Sequence, residues 1–247
     1  MRRISWQLVL ILALISSSLA VFIVQSQIFP TRRDDTLFYL IQDLAFVPIS
    51  VLLVTLIIDK LLSSREKKSM MRKLNMVIGV FYSEVGTDLM KDCFNFDTNI
   101  ENVRNTMSVT GEWTDADYTR AEKELKRSGP RIKCQYADLE KLKTFLLENR
   151  GLMLQLLENP NLLEHESFTE LLRAVFHLTE ELTARKNLRY LSDADIDHLS
   201  NDIKRAYVLL LSEWLLYMKH MKDEYPYLYS LAVRTNPFNP GAKAEIS

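Results

Sequence analysis

Two long apolar stretches near the amino terminus dominate the pattern of hydrophobic and polar positions. No charged residue occurs from Ile4 to Thr31, and residues 37–58 contain a single one, Asp43. As helices, both stretches are long enough to cross a hydrocarbon core of about 30 Å. The pattern therefore predicts two transmembrane helices, at residues 5–28 and 37–59, joined by a short loop into a hairpin over residues 1–62.

Basic residues flank this hairpin at its two outer ends. Arg2 and Arg3 precede the first span, and the second span is followed by six cations: Lys60, Arg65, Lys67, Lys68, Arg72 and Lys73. Because Lys and Arg near span ends favour the cytoplasmic side, we expect a multi-pass protein of the inner or plasma membrane with both termini cytoplasmic. The six cations either fix this topology alone or also bind anionic membrane lipid.

A cleaved signal peptide is the alternative for the first apolar stretch. Ser18-Leu19-Ala20 resembles a cleavage site, and Arg2-Arg3 resembles a basic leader. The apolar run continues past this point to Val24, however, and is longer than the usual core of such a peptide. We therefore favour the hairpin.

The remainder of the chain has the hydrophobic period of helices, and no segment shows a sustained alternation with a period of two. Since residues 63–92 contain no proline, the second span is expected to continue as a stalk helix. Further helices are predicted near residues 98–109, 114–127, 137–157, 167–186, 193–224 and 227–234. The fold class is all-α, with a cytosolic helical bundle over residues 63–234 and a flexible tail over residues 235–247.

Local chemistry marks the starts of several of these helices. Residues 98–101 and 167–170 both match the pattern of a capping box, with a hydroxyl followed three positions later by glutamate. Thr114 and Ser192 are predicted as simple N-caps. The helix over residues 193–224 has the clearest apolar stripe and is expected to be the central core helix.

Gly79, Ser83 and Gly86 form a stripe of small residues on the stalk helix. Such a stripe lets a second helix approach closely. It indicates either packing inside the domain, which we favour, or self-association of two chains.

Composition excludes several classes of function. Lys and Arg together number 31 and Asp and Glu 32, so no bulk positive charge attracts nucleic acid. The six glycines and two cysteines are not arranged as a phosphate-binding loop, a dinucleotide fingerprint or a cysteine zinc site. We therefore expect a protein that is not an enzyme and has no cofactor.

Glu170, His177 and Glu181 lie on one predicted helical face. Glutamate and histidine projecting from facing helices form metal sites in some bundles. Here the charged neighbours on the same face indicate a solvated surface of ion pairs, so no metal ligand is predicted. A helical metalloenzyme using His177 and Glu181 is the disfavoured third class of function.

Asp43 is the most informative single residue because a carboxylate inside a membrane span is costly and is often functional. Ser50 lies seven residues further on, on the same side of the helix, and Pro48 is expected to kink the span. Asp43 is either paired within the hairpin or part of a pore in an oligomer. The candidate partners in the hairpin are Gln25, Ser26, Gln27, Arg32 and Arg33.

These patterns favour a non-enzymatic, membrane-tethered helical interaction or signalling module that binds a protein partner. The alternative is a homo-oligomeric cation channel or transport component with Asp43 near the outer end of the pore. The alternative depends on Asp43, Pro48 and Ser50 alone.

Overall fold

The computed structural model describes residues 15–21, 23–24, 27–28, 33–160, 162 and 165–245. The chain divides into two compact units, residues 1–67 and 68–247. In the first unit, the described residues before residue 33 are helical, but most of the first predicted span lies outside the described residues.

Helix α1, Arg33–Phe81, contains the whole second predicted span. Of the helices in the described ranges, one is long and apolar enough to cross a membrane, and that stretch begins at Gln42. None of its most apolar 18-residue window is buried. Every residue from 51 to 62 is exposed, although most of them are aliphatic.

The second unit is a bundle of short and long helices, in agreement with the predicted all-α class. After α1 and a π-helical turn at Tyr82–Gly86, the helices are α2 Thr87–Phe94, α3 Ile100–Met107, α4 Asp115–Ser128, α5 Tyr136–Glu148, α6 Arg150–Leu157, α7 Glu166–Ala184, α8 Asp193–Glu224 and α9 Pro226–Arg234. The described residues include no strand, and an isolated antiparallel bridge joins Asp97 to Ile132.

Helix α8 occupies the centre of this bundle, as its apolar stripe predicts. It packs along α7 and also contacts α2, α4 and α9. Leu199, Ile203, Tyr207 and Leu210 on the predicted stripe are completely buried. Burial of large apolar side chains from a single helix against four neighbours supplies much of the hydrophobic stabilisation of the unit.

The π-helical turn lies where the sequence predicts an unbroken stalk helix. The ring of Phe81 and the ring of Tyr82 both lie close to Gly86, and a Cβ added there would come within 2.8 Å and 2.7 Å of them respectively. The Tyr82 hydroxyl donates to the carbonyl oxygen of Leu210 at 2.9 Å. The absence of a side chain at Gly86 therefore leaves room for the two rings. The π-helical turn also places the Tyr82 hydroxyl within hydrogen-bond distance of α8.

Two predicted capping boxes are wrong because other groups satisfy the helix ends. The Thr98 hydroxyl donates to the carbonyl oxygen of Arg131 at 2.9 Å, and α3 begins after Asn99. Helix α7 begins one residue earlier than expected, and Nδ1 of His165 accepts from the backbone N–H of Phe168 at 3.3 Å. The predicted cap of Ser192 is confirmed, since its hydroxyl accepts from the N–H of Asp195.

Part of the predicted flexible tail over residues 235–247 packs against the bundle, contrary to that prediction. Phe238 is completely buried, and its ring lies 5.3 Å from the rings of Phe94 and Trp214. The side-chain amide of Asn236 donates to the carbonyl oxygen of Met107 at 3.1 Å. An aromatic anchor and a buried hydrogen bond therefore hold this part of the tail against the bundle.

Candidate functional site

The polar positions predicted in the second span lie on α1. Asp43 and Pro48 are exposed, and the Ser50 hydroxyl donates to the carbonyl oxygen of Phe46 at 3.2 Å. Asp43 forms no hydrogen bond or ion pair with any described residue. Of its predicted partners, Gln25, Ser26 and Arg32 lie outside the described residues. The structure thus places an exposed carboxylate on the described helix that is long and apolar enough to cross a membrane.

The six predicted lipid-contacting cations all lie on α1: Lys60, Arg65, Lys67, Lys68, Arg72 and Lys73. The side chains of Lys60, Arg65, Arg72 and Lys73 are exposed and form no ion pair with a described carboxylate. Their charges are therefore available to an external anion.

Two members of the small-residue stripe pack within the chain. A Cβ added to Gly79 would lie 2.8 Å from the hydroxyl oxygen of Tyr217 on α8, and Gly86 is buried under two rings of its own helix. Ser83 is exposed and donates to the carbonyl oxygen of Val80. This geometry fits the interior packing that the sequence favours, and self-association through the stripe stays a prediction.

A shallow groove of about 280 Å³ runs beside this stripe, between the π-helical turn, α8 and α9. The stacked rings of Tyr82 and Tyr217 lie in its wall, with centroids 5.4 Å apart. Leu228 and Leu231 line the opposite side and are about half exposed. The groove is therefore lined mainly by apolar and aromatic side chains.

Four titratable side chains from α7 and α8 converge on the bundle surface. Nε2 of His198 lies 3.4 Å from an oxygen of Glu181 and 3.3 Å from Oδ2 of Asp202. Nε2 of His177 lies 3.9 Å from Glu181 Oε1 and 3.7 Å from Asp202 Oδ1. Both imidazoles are about half exposed, whereas Asp202 is largely covered.

Arg185 fixes one side of this cluster. Its Nη1 donates to Oε2 of Glu181 at 2.7 Å, and its Nη2 donates to Oδ1 of Asp195 at 3.0 Å. The hydrogen bond from Arg185 is the main reason that the pKa of Glu181 is lowered, with smaller contributions from His198 and His177. Glu181 is therefore ionised at neutral pH and held in place beside the two imidazoles.

The sequence interpretation missed half of this cluster. It placed His177 on a surface of ion pairs with Glu181 but assigned no partner to His198, whereas the structure brings His198 and Asp202 to the same point. The available signal was the spacing: a histidine is followed four residues later by a carboxylate on each of two consecutive helices. Residues four apart share one helical face, so two such pairs on adjacent helices can meet.

The sequence also does not reveal the burial of Glu213, a carboxyl on α8 that is 2% exposed. Burial raises its pKa, while a hydrogen bond with Ser167 and the charge of His165 oppose the rise. Between the usual carboxyl pKa of about 4.3 and the raised native value, the native state binds more protons than the unfolded state. The free energy of unfolding therefore falls as the pH rises through this range.

We expect Glu213→Gln to flatten this dependence on pH. The wild-type loss, at most about 1.4 kcal/mol per pH unit for one group, should be reduced above pH 4.5 in the variant. Denaturant unfolding over a pH series checks this, with Glu180→Gln on the exposed face of α7 as the control. Equal slopes for wild type and Glu213→Gln would contradict the assigned burial effect.

Comparisons with known proteins place both parts of the chain in one group. A family model described as the C-terminal helical domain of uncharacterized protein MJ1433 matches residues 70–234, and the model of the MJ1433 N-terminal helical domain matches residues 2–62. The chain is 47% identical over 234 residues to uncharacterized protein MJ1433 of Methanocaldococcus jannaschii, covering 95% of this chain and 94% of that protein. No solved structure matches.

Proposed function

The chain belongs to the MJ1433 family, which has an N-terminal and a C-terminal helical domain, and we propose its function from its own residues. We propose a non-enzymatic interaction or signalling module, tethered by a two-helix hairpin to the inner or plasma membrane. The helical bundle lies in the cytoplasm in this proposal and binds a protein partner.

The exposed apolar surface of α1 is the observation that carries this proposal. Leu52, Leu56 and Ile57 are each more than half exposed, whereas Leu74, Ile78 and Phe81 further along the same helix are buried. A continuous apolar surface of this extent is costly in water and is stable in lipid. The change from exposed to buried apolar residues along a single helix therefore supports a membrane segment followed by a packed domain.

The exposed cations after the proposed span support the cytoplasmic placement. Lys60 and Arg65 follow directly on the apolar run, and Arg72 and Lys73 lie about two turns further on. In a cytoplasmic orientation these side chains face the anionic lipid headgroups, at about 1 kcal/mol per charge close to the surface. The bundle offers the groove beside Tyr82 and Tyr217 as the apolar surface for a partner.

The test of the tethered module is a fragment that begins at Ser63. We expect this fragment to remain in the aqueous phase and to unfold cooperatively, because its core is contained in residues 74–238. Circular dichroism during thermal unfolding and sedimentation without detergent measure the two properties. A fragment that aggregates or lacks a cooperative transition would contradict a bundle that is independent of its anchor.

The alternative function is a homo-oligomeric cation channel or transport component, and the exposed Asp43 carboxylate on an apolar helix is the observation in its favour. It predicts a cation current across reconstituted bilayers that Asp43→Asn reduces, since a ring of carboxylates attracts cations. Ser83→Ala, far from the span, is the control. The absence of a current, or equal currents for wild type and Asp43→Asn, would rule out this alternative.

A further inference from the structure

Helices α7 and α8 each carry a histidine that is followed four residues later by a carboxylate, and the two pairs lie side by side. We propose that His177, His198 and Asp202 form a binding site for a divalent first-row transition-metal ion of the zinc class. The site lies on the bundle and is independent of the proposed membrane anchor.

The distances between the donor atoms fit such an ion. One donor atom from each of the three side chains lies within 4.8 Å of the other two. Nε2 of His198 is 3.3 Å from Asp202 Oδ2, and Nε2 of His177 is 3.7 Å from Asp202 Oδ1. In a tetrahedral zinc site with bonds of about 2.0–2.2 Å, neighbouring donors are roughly 3.3–3.6 Å apart. Both measured distances to Asp202 are therefore close to the spacing of such a site.

An unsatisfied oxygen points to the same position. Oδ2 of Asp202 is shielded from solvent and accepts a hydrogen bond from none of the described residues, although Nε2 of His198 lies close to it. A buried carboxylate oxygen normally has a hydrogen-bond partner or binds a cation. Coordination of a metal ion by Asp202 and the two imidazoles would give this oxygen the partner that it lacks.

The donor set defines the class of metal. Imidazole nitrogen and carboxylate oxygen suit Zn²⁺, Fe²⁺ and related ions, whereas Ca²⁺ and Mg²⁺ prefer oxygen ligands alone. Three protein ligands leave a further coordination position, as in zinc sites that bind water. Glu181 lies beside the two imidazoles, with Oε2 held by Arg185 and Oε1 3.9 Å from Nε2 of His177. The half-exposed imidazoles give the ion a path from solvent.

The test uses the full-length chain in detergent, without a histidine tag, after removal of bound metal with a chelator. Co²⁺ is the spectroscopic probe, and displacement of Co²⁺ by Zn²⁺ gives the zinc affinity. We expect one Co²⁺ per chain, with visible absorption bands of a nitrogen–oxygen site of low coordination number. His198→Gln and Asp202→Asn should each weaken binding by about ten-fold or more.

Asp197→Asn is the matched control, because it removes the same charge from an exposed position on α8. Its affinity should equal that of the wild type. The proposal is overturned if the wild type shows no stoichiometric Co²⁺ spectrum, or if Asp197→Asn and Asp202→Asn weaken binding equally. His177→Gln supplies an independent check at a half-exposed position, with circular dichroism to show that each variant is folded.

Discussion

Replacing Ile49 with Arg is expected to prevent membrane integration of the second proposed span. Ile49 lies near the middle of residues 37–59 and is about half exposed on α1. A guanidinium at the centre of a span costs about 2.5–3.5 kcal/mol, enough to shift insertion on the order of 100-fold. The measurement is insertion into membrane vesicles of a chain that starts at residue 31, so that the first span cannot compensate.

The matched control is Met76→Arg. Met76 is 67% exposed on the same helix but lies beyond the proposed span, so its replacement should leave insertion unchanged. In water the two replacements would be equally harmless, because both side chains are exposed. Equal insertion of the two variants would therefore contradict the placement of residue 49 in lipid.

Phe81→Ala is expected to have the largest effect on the stability of the bundle. Phe81 is completely buried, and its ring meets the rings of Phe168 and Tyr82 edge to face at 5.2 Å and 5.3 Å. Removal of a buried phenylalanine ring leaves a cavity and costs about 3–5 kcal/mol. Since the free energy of unfolding of a domain is about 5–15 kcal/mol, the variant should lose a large fraction of its stability.

Denaturant unfolding of the full-length chain in a fixed detergent measures this loss. Val80→Ala is the control, because Val80 is the preceding residue of the helix and is about half exposed. We expect its free energy of unfolding to change by less than about 1 kcal/mol. Similar losses for both variants would show that the helix end, rather than the buried ring, determines the effect.

The positions of the helices are predictable from the sequence because hydrophobic periodicity reports directly on burial. The stripe that includes Leu199 and Leu210 predicts both the bounds of α8 and its central position. The break between α5 and α6 at Asn149 was not predicted, since residues 137–157 keep their apolar period across it. Period alone does not detect a short interruption that preserves the buried face.

Local capping was less predictable, because distant backbone groups compete for the same side chains. Thr98 matches a capping pattern, but its hydroxyl instead donates to Arg131, which is distant in the sequence. The π-helical turn at Tyr82–Gly86 likewise depends on a tertiary contact, the hydrogen bond of Tyr82 to Leu210. Neither partner can be inferred from the neighbouring residues.

The proposed metal site also could not be predicted from the sequence alone. The pair His177 and Glu181 is visible in the sequence, and so is the pair His198 and Asp202. Whether they meet depends on the register between α7, which ends at Ala184, and α8, which begins at Asp193. A sequence pattern fixes the face of one helix, whereas the register between two helices follows from packing.

In the proposed topology, two apolar helices hold this protein in a lipid bilayer. This anchoring is tested most directly by isolating membranes from cells that express the intact chain, washing them with alkaline carbonate and sedimenting them at high speed. We expect the protein to remain in the membrane pellet and to enter solution only with detergent. Recovery of the intact protein in the carbonate supernatant would contradict the proposed anchoring.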